Sequence, residues 1–424
     1  MTSSVPGSGK KAPKMRAYDM TLEEACGKLG PTLREWGVAV VKDVFPADRC
    51  EAACEDLVSA LETLSGGKFD RHHPNATWDP AYLPSMPRSG LMQAQVGFKG
   101  SQFRGDPIVR ALFRAAYSDL RGRPVTDTVS SLDGVNIRPP IAPFYDEYTE
   151  DWPHIDASHK SFGDLTRQCI QAQVVLSDTS AAFRCSPKSH LKSDGLMDPR
   201  YGGREQEGDW TRLKREHVKQ FADEVRAIGG TYQTPVHTPR GSMIFWLSNT
   251  VHSAIVQRQR AGSADAPAPA PASPLANWRF IVYVCHVPRD EVDDEHIWRL
   301  HWAWENNRVT NHNGRRVFDL EASNQKGLVR DPEFVKFIRD PKLVYSVLPP
   351  PTDADWVRDM LGVPTTPSPP GWAPRGAGGG RGRGGGGRGR GGGGTGRGGG
   401  GGSSGAGGGA GRGTKLDSWL GRTK

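Results

Sequence analysis

Long hydrophobic runs are missing from this sequence. No stretch reaches the ~18 apolar residues that a membrane-spanning helix needs, and Met1 to Lys14 is polar, without the apolar core of a signal peptide. Cysteine is scarce. The six, Cys26, Cys50, Cys54, Cys169, Cys185 and Cys285, form no Cys-x-x-Cys pair and are too few for a disulfide framework. Reduced thiols, and so a soluble protein of the cytoplasm or nucleus, are the expectation. The body of the chain also lacks an excess of charge of either sign. Formal net charge is +8, but the excess sits in residues 375–424, where Arg375, Arg381, Arg383 and further arginines lie among glycines, leaving the rest near neutral. A neutral body is not built as a cradle for nucleic acid.

What is there begins with length: 424 residues leave room for two or three average domains, or for one elaborated β-barrel with helical additions. Residues 1–17 are predicted to be disordered. From Met20, Leu22, Ala25, Cys26, Leu29 and Leu33 recur at helical spacing, with Thr21 placed to cap before Glu23 and Glu24. Gly37 to Lys42 reads as a short buried strand, and Phe45 to Asp48 starts a second helix carrying Cys50, Cys54, Leu57, Leu61 and Leu64. Residues 66–105 are rich in Pro, Gly, His and Arg and read as loops; His72 and His73 there lack an evident carboxylate partner for a metal. A helix over Asp106 to Leu120 places Ile108, Leu112, Phe113 and Tyr117 on one stripe, before strands Val125 to Ser130 and Leu132 to Ile137. Arg138-Pro139-Pro140 ends the second. Residues 191–230 read as an insertion, helical over Trp210 to Ile228, that shields the mouth of the barrel, and Pro288 to Val363 as a helical or irregular cap. His296, His301 and His312 in that cap are read as surface or packing residues.

The chemistry gathers at Trp152-Pro153-His154-Ile155-Asp156. Side chains alternate faces in an extended segment, so His154 and Asp156 point the same way and Ile155 points away. An imidazole and a carboxylate do not hold a metal against water alone. His252, at the end of the apolar run Gly241 to Leu247 and its polar turn, is the third candidate. Two His and one carboxylate leave three positions open on an octahedral metal, the pattern of non-haem Fe(II) oxygenases. Arg279 opens the apolar strand Phe280 to Cys285, where a guanidinium is costly to bury without a partner. A dicarboxylate cosubstrate would supply one, through two parallel hydrogen bonds that Lys cannot match. Taking Ala261 to Ala276 as an inserted loop puts His252 and Arg279 at neighbouring heights on adjacent strands; Arg258 and Arg260 are rivals for the role. Asn136 either reaches the cosubstrate or caps a turn. Gln171 and Gln173 either face the cosubstrate pocket or lie on a solvent face.

These motifs together resemble the phytanoyl-CoA dioxygenase family of Fe(II)/2-oxoglutarate oxygenases. The resemblance is carried by His154-Ile155-Asp156, Gln171 to Leu176 with Ser177-Asp178, Phe183 to His190, Pro239 to Trp246 leading into His252, and Arg279. It covers roughly residues 30–290. The family usually has Pro-Gly-Ser-His where this chain has Pro187-Lys188-Ser189-His190, and its last His and Arg lie closer together. The resemblance implies an α+β, mainly β fold: a double-stranded β-helix, a jelly-roll or cupin-like barrel, over residues 18–290 with flanking helices. A cap would follow over 291–363. It implies Fe(II) on His154, Asp156 and His252, 2-oxoglutarate and O2 as cosubstrates, and hydroxylation of a C–H bond with release of succinate and CO2. Ser189 and His190 become candidates beside the site. Asp156 speaks against halogenation, since related halogenases carry a small residue there. The substrate expected is a small molecule.

From Pro364 the chain turns Pro-rich and then, over residues up to 413, Arg-Gly-rich, a composition that cannot bury enough apolar surface to fold. Guanidinium groups on a glycine chain stack on bases and attract phosphate. An RNA- or DNA-binding tail and a solubilising linker both fit. Residues 414–424 read as a docking peptide for a protein partner or as chance. A second reading of the whole chain follows: an inactive barrel serving as a platform for the tail.

Overall fold

A computed structural model describes residues 15–86, 89–141, 153–156, 169–179, 181–192, 211–254, 274–314, 329–351 and 355–373. Helix α1 (Leu22–Trp36) starts at Thr21, whose hydroxyl accepts from the Glu24 N–H while the Glu24 carboxylate accepts from the Thr21 N–H. It buries Ala25, Leu29 and Leu33 and stops at Gly37, where φ is 72°. That left-handed turn feeds the chain straight into a strand, and a Cβ at Gly37 would run into His190 and Thr250. Helix α2 (Ala47–Leu64) follows the strand and buries Cys50, Cys54, Leu57, Leu61 and Leu64.

The stretch read as loops contains two helices, α3 (Pro74–Thr77) and α4 (Phe98–Gly105). Helix α4 has little amphipathic signal of its own. Tertiary burial of Phe103 and Arg104 fixes it, the guanidinium giving hydrogen bonds to the carbonyls of Tyr283 and Asp133. Helix α5 (Pro107–Arg121) is capped by Asp106 and buries Val109, Leu112, Phe113, Ala116 and Tyr117; Ile108 sits at the edge of that stripe, 38 % exposed rather than within it.

Twelve strands are described: β1 (Asp19–Thr21), β2 (Val38–Lys42), β3 (Thr128–Ser130), β4 (Val135–Arg138), β5 (His154–Ile155), β6 (Ile170–Val175), β7 (Phe183–Cys185), β8 (Thr211–Arg212), β9 (Thr234–Val236), β10 (Met243–Leu247), β11 (His252–Ala254) and β12 (Arg279–Pro288). They form two sheets. The larger runs β1-β2-β10-β6-β12-β3, with β4 also paired to β12; the smaller runs β8-β5-β11-β7-β9. Among the described residues no ladder joins the two sheets into a closed barrel, which corrects the barrel expected from sequence. Side chains, not backbone bonds, fill the seam: Val38, Val40, Val175, Ile244, Trp246 and Ile281 of the large sheet meet Phe183, Cys185 and Val236 of the small one.

The opposite face of the large sheet, Ala39, Val41, Ala172, Val174, Met243, Phe245, Phe280 and Val282, carries α1, α2 and α5. Its central strands are therefore buried on both sides, and each large apolar side chain so buried contributes about 1.5–3 kcal/mol. Helix α6 (Val218–Ala227) is shorter than the helix expected from Trp210, because Thr211 and Arg212 pair instead with β5 as β8. It does not cover the mouth of the pocket. It backs the small sheet, where Phe221 and Val225 meet Ile155, Leu213 and Val251. Helices α7 (Asp294–Glu305), α8 (Pro332–Arg339), α9 (Pro341–Val347) and α10 (Asp355–Leu361) make up the C-terminal cap. No helix among the described residues is long and apolar enough to cross a membrane. The Arg-Gly tail, the end peptide and nearly all of the Ala/Pro run lie outside the described residues.

Candidate metal centre and pocket

Strands β5 and β11 pair antiparallel with His154 directly opposite His252, so the two imidazoles share one face, 4.3 Å between ring centroids. Asp156, just past β5, is anchored by its N–H to the Ser248 carbonyl at 2.8 Å. Its carboxylate lies 3.6 Å from His154 Nε2 through one oxygen and 3.4 Å from His252 Nε2 through the other. The three ligand atoms lie within 4.8 Å of one another. Donors bound at ~2.0–2.2 Å to one ion sit about 3 Å apart when at right angles, so these three residues fit a single metal. Ile155 faces the other way, into α6.

Neighbouring groups hold the ligands in place. His252 Nδ1 donates to the Thr250 carbonyl at 3.0 Å, which leaves the Nε2 lone pair free to face the other two candidate donors. Gln171 Nε2 donates to Asp156 Oδ2 at 2.8 Å and also to the His312 carbonyl. Burial alone would raise the Asp156 carboxyl. Its hydrogen-bonding contact with His252 and the nearby imidazoles of His154 and His312 outweigh it and hold the group well below the usual carboxylate range.

Above the three ligands, between the sheets, lies a cavity of about 230 Å³ walled by Leu91, Phe183, Trp246 and Tyr283 among others. Arg279 lines it, 1 % exposed, at the start of β12. Its Nη1 donates to Asn136 Oδ1, and among the described residues its Nε has no partner and no acidic side chain pairs with it. Asn136 in turn donates to the Ser89 carbonyl at 2.6 Å. Arg138, in register with Arg279 on β4, lines the same cavity. Two guanidiniums directly opposite each other repel, and an anion between them would relieve that.

The sequence-predicted residues divide. His154, Asp156, His252, Arg279 and Asn136 share the cavity wall, and Gln171 touches it through Asp156. Gln173, on the same strand face, borders a separate small cavity with Val175, Phe183 and Ile244. Arg279 reaches the site from the sheet facing His252, not from an adjacent strand, because β11 and β12 belong to different sheets. Arg258 and Arg260 lie outside the described residues. Ser189 Oγ accepts from the Val251 N–H at 2.8 Å and so braces the approach to His252, while His190 Nε2 bonds the Arg34 carbonyl at the end of α1. Neither lines the cavity. Lys188, at the position where the family has Gly, takes a left-handed φ of 70° and lays its ammonium 4.5 Å from the Trp36 ring centroid. His73 does have a carboxylate partner, Asp70 at 2.6 Å, but on the exposed surface.

Sequence reasoning missed His312 and Asp133. Both line the cavity, 2.6 Å apart between His312 Nδ1 and Asp133 Oδ2. His312 is not among the converging donors and packs on Trp246 and Tyr283, as expected, but it does so in the cavity wall, and no spacing in the sequence links it to His154, Asp156 and His252.

Residues 33–256 match the family model described as phytanoyl-CoA dioxygenase. Among solved structures, the chain is similar to GlcNAc Inducible Gene 2 from Candida albicans (12 % identity, 84 % of this chain and 81 % of that one, TM-score 0.47). It is also similar to a protein from Salmonella typhimurium LT2 (13 %, 74 % and 82 %, TM-score 0.43). A third likeness is to the epimerase SnoN, solved with Fe3+, alpha ketoglutarate and nogalamycin RO (16 %, 63 % and 83 %, TM-score 0.33). No curated protein matches the chain.

Proposed function

The chain belongs to the phytanoyl-CoA dioxygenase family, and from that premise we propose that it hydroxylates a C–H bond of a small molecule, with His154, Asp156 and His252 holding iron(II) and Arg279 holding 2-oxoglutarate. The observation that carries the reading is the convergence of those three donors beneath a walled cavity. When bound, the iron and 2-oxoglutarate supply the oxidising chemistry, in which O2 is consumed and the cosubstrate leaves as succinate and CO2. The protein's own part is geometry. His252 is fixed in one tautomer by Thr250, and Asp156 is aimed by Gln171. Arg279, oriented by Asn136, offers a guanidinium to the distal carboxylate of 2-oxoglutarate, whose charge would offset the cost of burying it. Trp246, Phe183 and Tyr283 keep water from the reacting face. We read the two facing sheets as an open form of the double-stranded β-helix.

The rival reading, a silent platform serving an Arg-Gly tail, gives no reason for three ligand side chains and a buried guanidinium to meet at one cavity. The test is anaerobic titration of Fe(II) and 2-oxoglutarate into the full chain. A weak visible charge-transfer band is expected, and His154→Ala and Asp156→Ala should each lose both the band and succinate formation. An undiminished band in both variants would overturn the assignment.

A further inference from the structure

Beyond α7 the chain turns back into the site. The Thr310 N–H donates to the Leu132 carbonyl at 2.8 Å, and Thr310 Oγ1 accepts from the Leu132 N–H at 2.9 Å. Two residues on, the His312 carbonyl takes a hydrogen bond from the same Gln171 amide that aims Asp156, so one side chain sets His312 relative to the metal ligands. The His312 ring lies 5.3 Å from Trp246 and 5.0 Å from Tyr283, centroid to centroid, in the cavity wall. It is not one of the converging donors, and it falls outside the residues that match the family model.

The hydrogen bonding of this ring is one-sided. Asp133, 2 % exposed, accepts from Nδ1, which in the neutral ring leaves Nε2 an acceptor. Nε2 has no partner among the described residues. His286 shows what a purely structural buried imidazole looks like in this protein: Thr128 Oγ1 meets its Nδ1 and the Arg104 carbonyl meets its Nε2, both at 2.9 Å. A buried acceptor left unpaired has lost its bond to water without replacement, a cost that a ligand's O–H or N–H would remove.

We propose that His312, oriented by Asp133, is a specificity-determining residue that accepts a hydrogen bond from the substrate and so selects which C–H bond faces the metal. The apolar walls around it give the class of substrate: a small, largely aromatic or alicyclic molecule carrying one hydroxyl or N–H donor. Asp133 is a positioning residue, acting through His312. The inference rests on the oxygenase reading of the site.

The experiment compares two probes of nearly the same shape, 4-fluorophenol and 4-fluoroanisole, by 19F NMR titration of the full chain with Zn(II) and 2-oxoglutarate, so that nothing turns over. The phenol should bind about fivefold or more tightly than the ether, the size of one hydrogen bond. His312→Phe should erase the preference, Asp133→Asn should shrink it, and His312→Gln, whose amide oxygen still accepts, should keep part of it. In all three variants the Fe(II)/2-oxoglutarate band should persist, which reports an intact fold and metal site. Equal affinity for the two probes in the unaltered chain, or the same preference in His312→Phe, would overturn the proposal. Failure of the oxygenase reading shows separately, as absence of the band from the unaltered chain.

Discussion

Gln171 gives a single amide nitrogen to two acceptors, the Asp156 carboxylate and the His312 carbonyl, and this ties the proposed metal ligand to the wall of the pocket. Groups that orient a metal ligand are typically worth about 10–100-fold in metal affinity. Gln171→Leu keeps the bulk and removes the donor, so Fe(II) should bind roughly 10–100-fold more weakly, as read by anaerobic titration; unchanged affinity would remove Gln171 from the account. Residue identity alone did not reveal this. The alternation in β6 puts Gln171 and Gln173 on one face, and only the packing sends the first to Asp156 and the second to a neighbouring cavity. The Gly-to-Lys departure at Lys188 is a residue-scale matter too: the loop keeps the left-handed turn that glycine would favour, and the side chain finds Trp36.

At the scale of elements, the strand of two residues that carries His154 has little hydrogen bonding of its own and depends on what lies behind it. Ile155 points into Leu213, Phe221, Val225 and Val251, so α6 presses β5 from the face opposite the His154 and Asp156 side chains. Phe221→Ala should cost about 3–5 kcal/mol of stability, measured by denaturant unfolding. Iron affinity of the folded variant should fall with it, because the cavity loosens the strand; full affinity at reduced stability would show β5 to be rigid without α6. Helix α1 was legible in detail, since a capping box and a buried stripe are local signals. Helix α4 and strand β8 were not, because Arg104 and Thr211 owe their conformations to carbonyls and strands distant in the chain.

For the whole molecule, the two sheets sandwich the site while helices bury the back of the larger one, and several imidazoles are enclosed in the process. Burial pushes His286 down to about 3 and His296 down to about 4; in the second case Asp293 acts weakly the other way. Both stay neutral in the folded protein where the unfolded chain would take a proton. Their contribution is thus fully present above the ordinary value of about 6.5 and is lost as pH falls from there through the folded values. Melting temperature should drop between pH 6.5 and 4, and His286→Gln, less stable at neutral pH, should show a shallower drop. A flat profile over that range would contradict the burial of these rings.

The sequence by itself determined the local features and singled out the three candidate donors that converge. Thr21 with Glu24 set the start of α1, and the alternation in His154-Ile155-Asp156 put both ligands on one face, because capping and side-chain direction are properties of neighbouring residues. Tertiary structure alone decided what meets across the fold. It split the strands into two facing sheets and brought Arg279 to the cavity of the three candidate donors from the sheet opposite His252. It also returned the segment after α7 so that His312 stands between Trp246 and Tyr283. Such pairings are set by the burial of apolar faces, which fixes position only once every layer is in place and leaves no spacing in the chain to read.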